Sequence, residues 1–439
     1  MTQRLMARVR TPGIAAFVAM AAGCHGLLDV ESPGRIADSD LNNKDAIPGL
    51  VVGMSNRMAN LMGGITRNMV IFPALVSGEM YHGGSYSWAQ VPSGYVDVED
   101  MGTNWGAAQV ARWVAEDGIR RMRDQILTTA EFNANASVAR AYVFAALANR
   151  TLGENMCTAV IDGGAAESYT VYFDRGIAEA DTAITIGTAA GATAEVRAAY
   201  GARASMKAWE GDWAGAATDA QEVTPDFVLS AATQLPSPEN LVTYETHNRN
   251  EYTVYSTFMS DSGRAVLENM DGPAWSATHA KDPRAPWKIL YNADGSIKRG
   301  ANGSTPAYQQ SKYDARDSDI PLVKGTEMLV LRAEAALRSG DIPGAYILLN
   351  QARGVSGMGS LVTAADAATA WKDVHYERSV TTWLEGRHLW DSSRWFNESG
   401  PAHSDAIAGR DQCLPVSKSE LDANRNLTGY TVTHPLARQ

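Results

Sequence analysis

The 439-residue sequence predicts a mainly α fold: a tetratricopeptide-like helical-repeat scaffold with a loop-rich ligand face. Two observations predict the scaffold. Residues 194–223 and residues 329–353 share one pattern, an Ala-rich helix, a Gly-Asp turn and a second Ala-containing helix. Small residues at facing positions let paired helices approach closely, and each such pair must stack on a neighbour to bury its apolar side. A third observation predicts the face. Residues 224–321 scatter Pro, Gly, Asn, Tyr and Trp with few helical periods, and long irregular segments in folded chains are more often functional than idle.

Taken in order, the chain opens with Arg4, Arg8 and Arg10, then an apolar run over residues 14–22, then small residues up to Cys24. This is a secretory signal pattern, too short for a membrane-spanning helix. Ala21-Ala22-Gly23-Cys24 resembles a bacterial lipobox, with Ala21 where Leu is usual. The expectation is a signal peptide over residues 1–23, a lipidated Cys24 and one domain over residues 24–439; plain secretion is the alternative. Export places the remaining thiols, Cys157 and Cys413, in an oxidising compartment. They are a possible disulfide, and two separate buried thiols remain open.

Residues 45–62 have helical spacing at Leu50, Val51, Met54, Met58 and Leu61. From 78 to 105 glycines and aromatics dominate, which reads as loop chemistry with exposed rings. Helical periodicity returns over 109–126. Further helices are expected over 137–152, with Ser137 as cap, and over 172–186, 194–210 and 213–223. The repeat core thus spans about 137–223 and 326–396, with excursions over about 78–105 and 224–321.

The net charge is −11. An acidic surface repels phosphate backbones, which argues against nucleic acid as a partner. No His-Glu-x-x-His, paired-Cys metal spacing, phosphate-binding glycine loop or Gly-x-Ser-x-Gly elbow occurs in the sequence, so no metal, cofactor or catalytic residue is expected. A pair of catalytic carboxylates is a three-dimensional fact that a sequence does not display. Rings in loops do stand out. Indole and phenol faces match the C–H faces of sugars, with polar neighbours for the hydroxyls. Tyr81, Trp88, Tyr95 and Trp105 in the first excursion, and Trp275 in the second, are the candidate ligand-binding residues.

The C-terminal third resembles the RagB/SusD family. Lys312-Tyr313 leads into Pro321-Leu322-Val323, and Leu331-Arg332-Ala333-Glu334-Ala335 follows with Gly340-Asp341, Asn350 and Arg353. Glu377-Arg378 precedes the most distinctive run, Glu385-Gly386-Arg387-His388-Leu389-Trp390-Asp391-Ser392-Ser393-Arg394-Trp395. Leu414-Pro415-Val416, with Glu420 to Asn424 and Asn426-Leu427, resembles the family's C-terminal signature, with Arg425 where the family usually shows Pro. The resemblance implies a non-enzymatic, lipid-anchored outer-membrane protein, surface-exposed. Such a protein binds polysaccharide or oligosaccharide and lids a TonB-dependent, SusC-like transporter. A secreted helical-repeat scaffold that binds protein or peptide is the alternative reading.

Arg387, Asp391 and Arg394 have i,i+4 and i,i+3 spacing, which puts them on one helical face. With Glu385, Arg332 and Glu334 they read either as a polar site or as an ion-pair cluster that locks the helix to the hairpins. Charges set among Trp383, Trp390 and Trp395 favour the second.

Overall fold

The computed structural model describes residues 38–84, 91–254 and 282–431. Cys24, Trp88 and Trp275 lie outside the described residues. Asp38–Leu41 is a 3-10 turn in a short first unit; all that follows belongs to the unit spanning residues 43–439.

The helices form as an apolar-face argument requires, with instructive changes at their ends. Helix α1, Ile47–Ala59, buries Ile47, Val51, Met54 and Met58 at helical spacing and has Pro48 in its first turn, where a missing N–H costs nothing. It runs into a π turn at Asn60–Gly64. Helix α2, Ile71–Ser77, is buried along its whole length. Helix α3, Gly102–Arg121, begins seven residues before the periodicity over 109–126 predicts. Asn104 and Trp105 are buried in its first turn, so tertiary packing overrides the low helix propensity of Gly102, Thr103 and Gly106.

Helix α4, Ala136–Asn155, is capped by Asn135, whose side chain accepts from the Ser137 and Val138 N–H groups. Ser137 is thus inside the helix rather than its cap. Helices α5 (Thr170–Ala189), α6 (Thr193–Trp209) and α7 (Trp213–Gln221) follow. Each packs on its predecessor. Asp212 caps α7 by accepting from Gly215 N–H, and Asp341 caps α9 by accepting from Gly344 N–H. One turn chemistry therefore serves both hairpins. The second is α8 (Gly325–Arg338) with α9 (Ile342–Val355). Helix α8 also packs against α7, which joins the two hairpins into one stack. Helices α10 (Ala367–Thr381), α11 (His388–Phe396) and α12 (Lys418–Ala423) complete the set. Among the described residues, no helix is long and apolar enough to cross a membrane.

The strands are short and antiparallel. β1 (Tyr81–His82) pairs with β5 (Tyr252–Thr253), and β2 (Thr158–Ala159) with β3 (Glu167–Ser168). β4 (Val228–Ala231) pairs with β8 (Ile320–Lys324), and β6 (Trp287–Ile289) with β7 (Tyr308–Gln310). The β4–β8 pair closes the base of the second excursion. The β1–β5 pair fastens the first excursion to the second.

Cys157 and Cys413 form a disulfide, with their Cα atoms 5.1 Å apart. It sits beside a parallel bridge between Met156 and Leu414, where Cys157 N–H donates to Leu414 O at 2.9 Å. The bond closes a loop with a sequence separation of 256. A loop of this length restricts the unfolded chain strongly, an effect typically on the order of 2–5 kcal/mol. Replacing both cysteines by Ser is therefore expected to lower the unfolding free energy from guanidinium titration by about that amount, and with it the midpoint, while far-ultraviolet circular dichroism stays unchanged. An unchanged midpoint would show that the bond contributes nothing to stability.

Candidate functional site

The loop of the first excursion is clamped at its feet. Arg410 Nη1 donates to Val76 O at 2.9 Å, just before Gly78. At the other foot Asp411 N–H donates to Gly94 O at 2.7 Å, and Val96 N–H donates to Asp411 Oδ2 at 2.8 Å. Gly94 has φ +92, and a Cβ there would lie 2.3 Å from Arg410 Cγ. Only glycine fits both demands. Arg410 and Asp411 are themselves buried, so the loop is held by groups that the core fixes.

Tyr81 and Tyr95 stand on this clamped loop. Tyr81 is partly exposed in β1, and Tyr95 is 42% exposed. β1 meets the second excursion through β5. Gly83 N–H donates to Glu251 O at 2.7 Å, and Asn302 N–H donates to Gly83 O at 2.8 Å. Trp287 and Tyr308 stack at 5.4 Å between centroids on the adjoining β6–β7 pair. Polar groups lie next to the rings. His82 Nε2 is 3.8 Å from Glu251 Oε2, and burial lowers the imidazole pKa. Arg249 bonds both Glu245 and Glu251, while burial raises the Glu245 carboxyl. Trp105 is different. It is 3% exposed in α3, with Nε1 donating to Glu420 at 3.3 Å. Its ring packs the core and offers no ligand platform, which corrects its place among the candidates.

The charged residues of the C-terminal signature form a ladder rather than an open polar site. Ten described side chains alternate in sign. Arg150 lies 3.8 Å from Glu154, and Arg387 bonds Glu154 at 2.8 Å and Glu327 at 2.9 Å. Arg378 bonds Glu327 at 3.0 Å and Asp391 at 2.8 Å. Arg394 bonds Asp391 at 2.9 Å and Glu334 at 2.5 Å. Arg338 then bonds Glu334 at 3.0 Å and Glu398 at 2.7 Å. Burial alone would raise Glu327, but Arg387, Arg378 and Arg150 outweigh it and hold it at about 2. Glu334 is held at about 2 against its burial by Arg394 and Arg338. Indoles line the ladder: Trp209 donates to Glu154 at 2.9 Å, and Arg394 lies over Trp209 at 4.6 Å. Arg338 lies over Trp213 at 4.1 Å.

Two details differ from the spacing argument. Arg387 caps α11 instead of sitting within it, and it pairs with Glu154 and Glu327 rather than Asp391. Arg332 forms no ion pair among the described residues; it is half-buried beside Arg338, which takes the place in the ladder. Glu385 stands apart from the ladder, held by Lys312 and Lys324 at 2.6 Å each. The turn from α10 to α11 explains the run around it. Leu384 N–H donates to Glu79 Oε1 at 3.1 Å, and Gly386 at φ +73 passes so close to Met69 O that a Cβ would lie 2.2 Å away. Desolvation pushes Glu79 up to about 8 and Lys312 down to about 8.

Residues 243–412 match the SusD family model. No curated protein matches the chain in sequence. Solved structures match across nearly its whole length. Surface glycan-binding protein A from Bacteroides uniformis shares 14% identity and a TM-score of 0.63, over 90% of this chain and 100% of its own. A SusD/RagB family protein from Bacteroides thetaiotaomicron shares 12% identity and a TM-score of 0.61, over 87% and 95%. A SusD-like carbohydrate binding protein from Bacteroides vulgatus shares 15% identity and a TM-score of 0.54, over 79% and 82%.

The chain therefore carries a SusD family match over residues 243–412 and shares its fold with these proteins. The helical stack includes features that sequence reading passed over. Trp209 and Trp213 read as hairpin-turn residues, yet both contact the ladder and border an open cavity with Tyr169 and Trp390. Trp113 on α3 is 52% exposed. Nothing in its spacing separates it from the packing tryptophans.

Two tests follow from the charges. Removing Arg378 leaves Glu327 and Asp391 buried with one partner fewer each, so Arg378→Met is expected to cost about 3–5 kcal/mol in denaturant unfolding. A cost under about 1 kcal/mol would show that the ladder does not hold α10 and α11. Glu79 keeps its proton in the folded state up to about pH 8, whereas its ordinary value is 4.5. Unfolding at a pH between these values releases that proton, so wild-type stability falls as pH rises through this window. Glu79→Gln has no proton to lose. It is expected to gain stability relative to wild type between pH 5 and pH 8 in paired guanidinium titrations; a pH-independent difference would contradict the assignment.

Proposed function

We propose that this SusD-like chain binds glycans at the outer surface of the outer membrane, without covalent chemistry. On this reading it passes them to a TonB-dependent, SusC-like transporter and is tethered by lipid on Cys24. The observation that supports this reading most is the family match over residues 243–412 on a fold shared over 90% of the chain with a surface glycan-binding protein. The ligand face is the place where the clamped first excursion meets the second through β1 and β5. Tyr81 supplies a ring face there, Tyr95 supplies another at the foot of the same loop, and Trp88 and Trp275 are the further candidates in the sequence of the two excursions. Rings held on a rigid base lose little entropy when a sugar stacks on them. The Arg249 guanidinium, partly exposed and held by the buried Glu245 and Glu251, supplies donors for hydroxyls.

The test has two arms. In affinity electrophoresis against a panel of polysaccharides, the mature protein is expected to be retarded by at least one glycan. Tyr95→Ala is expected to weaken that retention about tenfold, which corresponds to about 1.4 kcal/mol of lost stacking. Retention by no glycan in the panel would overturn the binding role. In mild detergent, the tagged protein is expected to bring down a large β-barrel in near-equal amount. Its isolation alone would overturn the delivery role and favour a free-standing binder.

A further inference from the structure

A second concave surface lies away from the clamped loop, where α3 faces the segment after β2 and the start of α12. It is an open cavity of about 220 Å³ lined by Gln109, Arg112, Trp113, Asp162, Gly163 and Glu420. We infer that it is a separate saccharide subsite, taking one neutral pyranose ring against Trp113. The inference rests on the glycan-binding reading for its biological sense, but the cavity is lined by neither Tyr81 nor Tyr95.

One side of the helix that bears Trp113 is well packed, and the other leaves Val110 and Trp113 exposed at the cavity. Trp105, Ala108, Ala111, Ala115 and Ile119 are all buried along α3, whereas the Trp113 ring is left half in water. An exposed indole forgoes burial worth about 25 cal/mol per Å² of apolar surface. That apolar face is available to a ligand with a flat C–H surface.

The polar rim is already built. Arg112, 2% exposed, donates from Nη2 to Asp162 at 2.7 Å, from Nη1 to Glu116 at 2.6 Å and from Nε to Gln109 at 3.3 Å. Gln109 Nε2 in turn donates to the Tyr172 hydroxyl at 2.8 Å and to Val160 O at 3.2 Å. Glu420 accepts from Trp105 Nε1 at 3.3 Å and from Asn424 Nδ2 at 3.0 Å. Two more side-chain amides fix the rim loop: Asn424 donates to Gly164 O at 2.9 Å and Asn426 to Gly163 O at 2.7 Å. A rim fixed on folding has no ordering cost left when a ligand arrives.

Its chemistry selects the ligand. The Asp162 side chain is 58% exposed, and an ionised carboxylate accepts hydrogen bonds only. It suits paired sugar hydroxyls, which donate. The local charge is Arg112 and Arg175 against Glu116, Asp162 and Glu420, a net negative site. A uronate or sialate carboxylate would be repelled there, so the ring is a neutral hexose or pentose pyranoside.

The test reads the site directly. Wild type and Trp113→Phe are labelled with 5-fluorotryptophan, and the resonance missing from the variant assigns Trp113. Methyl glucoside, galactoside, mannoside and xyloside, with methyl glucuronide as the acidic probe, are titrated at millimolar concentration. The expected result is a saturable shift of the Trp113 resonance with at least one neutral pyranoside and none with the glucuronide. Asp162→Asn is expected to weaken it at least tenfold. No shift with any neutral pyranoside overturns the subsite, even if the protein binds polysaccharide elsewhere. An equal response to glucuronide overturns the neutral preference. A Trp113 shift in a protein that no polysaccharide retards leaves the subsite standing and removes the capture role.

Discussion

The buried charge ladder from Arg150 to Glu398 is the constraint on which the rest of the fold depends. It joins α4, α8, α10 and α11 with the segment after α11. Desolvating ten ionised groups is expensive, and apolar replacements of the same shape are often as stable. What the alternation does provide is mutual exclusivity. Each guanidinium has carboxylates only in the native arrangement, so a helix shifted by one turn would strand a charge in the core. The indoles of Trp209 and Trp213 seal the outer end, which ties the first hairpin's turn to the C-terminal helices.

The ladder also fixes what lies around it. Arg387 and Glu385 occupy the turn between α10 and α11, and this turn reaches Glu79 at the foot of the first excursion. Arg410 and Asp411, further along the chain, hold both feet of the same loop. The face carrying Tyr81 and Tyr95 is therefore supported from below by buried polar groups. Loops that present ligand-binding rings need such support, because a mobile platform would lose on ordering what it gains on stacking.

Much of this was legible in the sequence, and the failures have physical reasons. The two hairpins were readable because small residues and Gly-Asp turns are local signals. The charged run from Glu385 to Arg394 was readable as a cluster, but not its pairing. Arg387 meets Glu154, which is 233 positions away, and helical spacing carries no information about such partners. Trp105 read as a loop ring because glycines surround it, yet burial drew those glycines into α3. Asn135 rather than Ser137 caps α4, since both residue types cap well and tertiary packing chose between them. Trp113 was invisible for the opposite reason: a tryptophan at helical spacing reads as core whether its ring points inward or out.

The Cys157–Cys413 bond has one more consequence. Residues 224–321 lie wholly between the two cysteines. Exposed loop backbone is where proteases cut a folded chain. A single nick in that stretch would leave two pieces still joined by sulfur, with the ladder residues of both held in register. The molecule is covalently tolerant of a cut anywhere between its two cysteines.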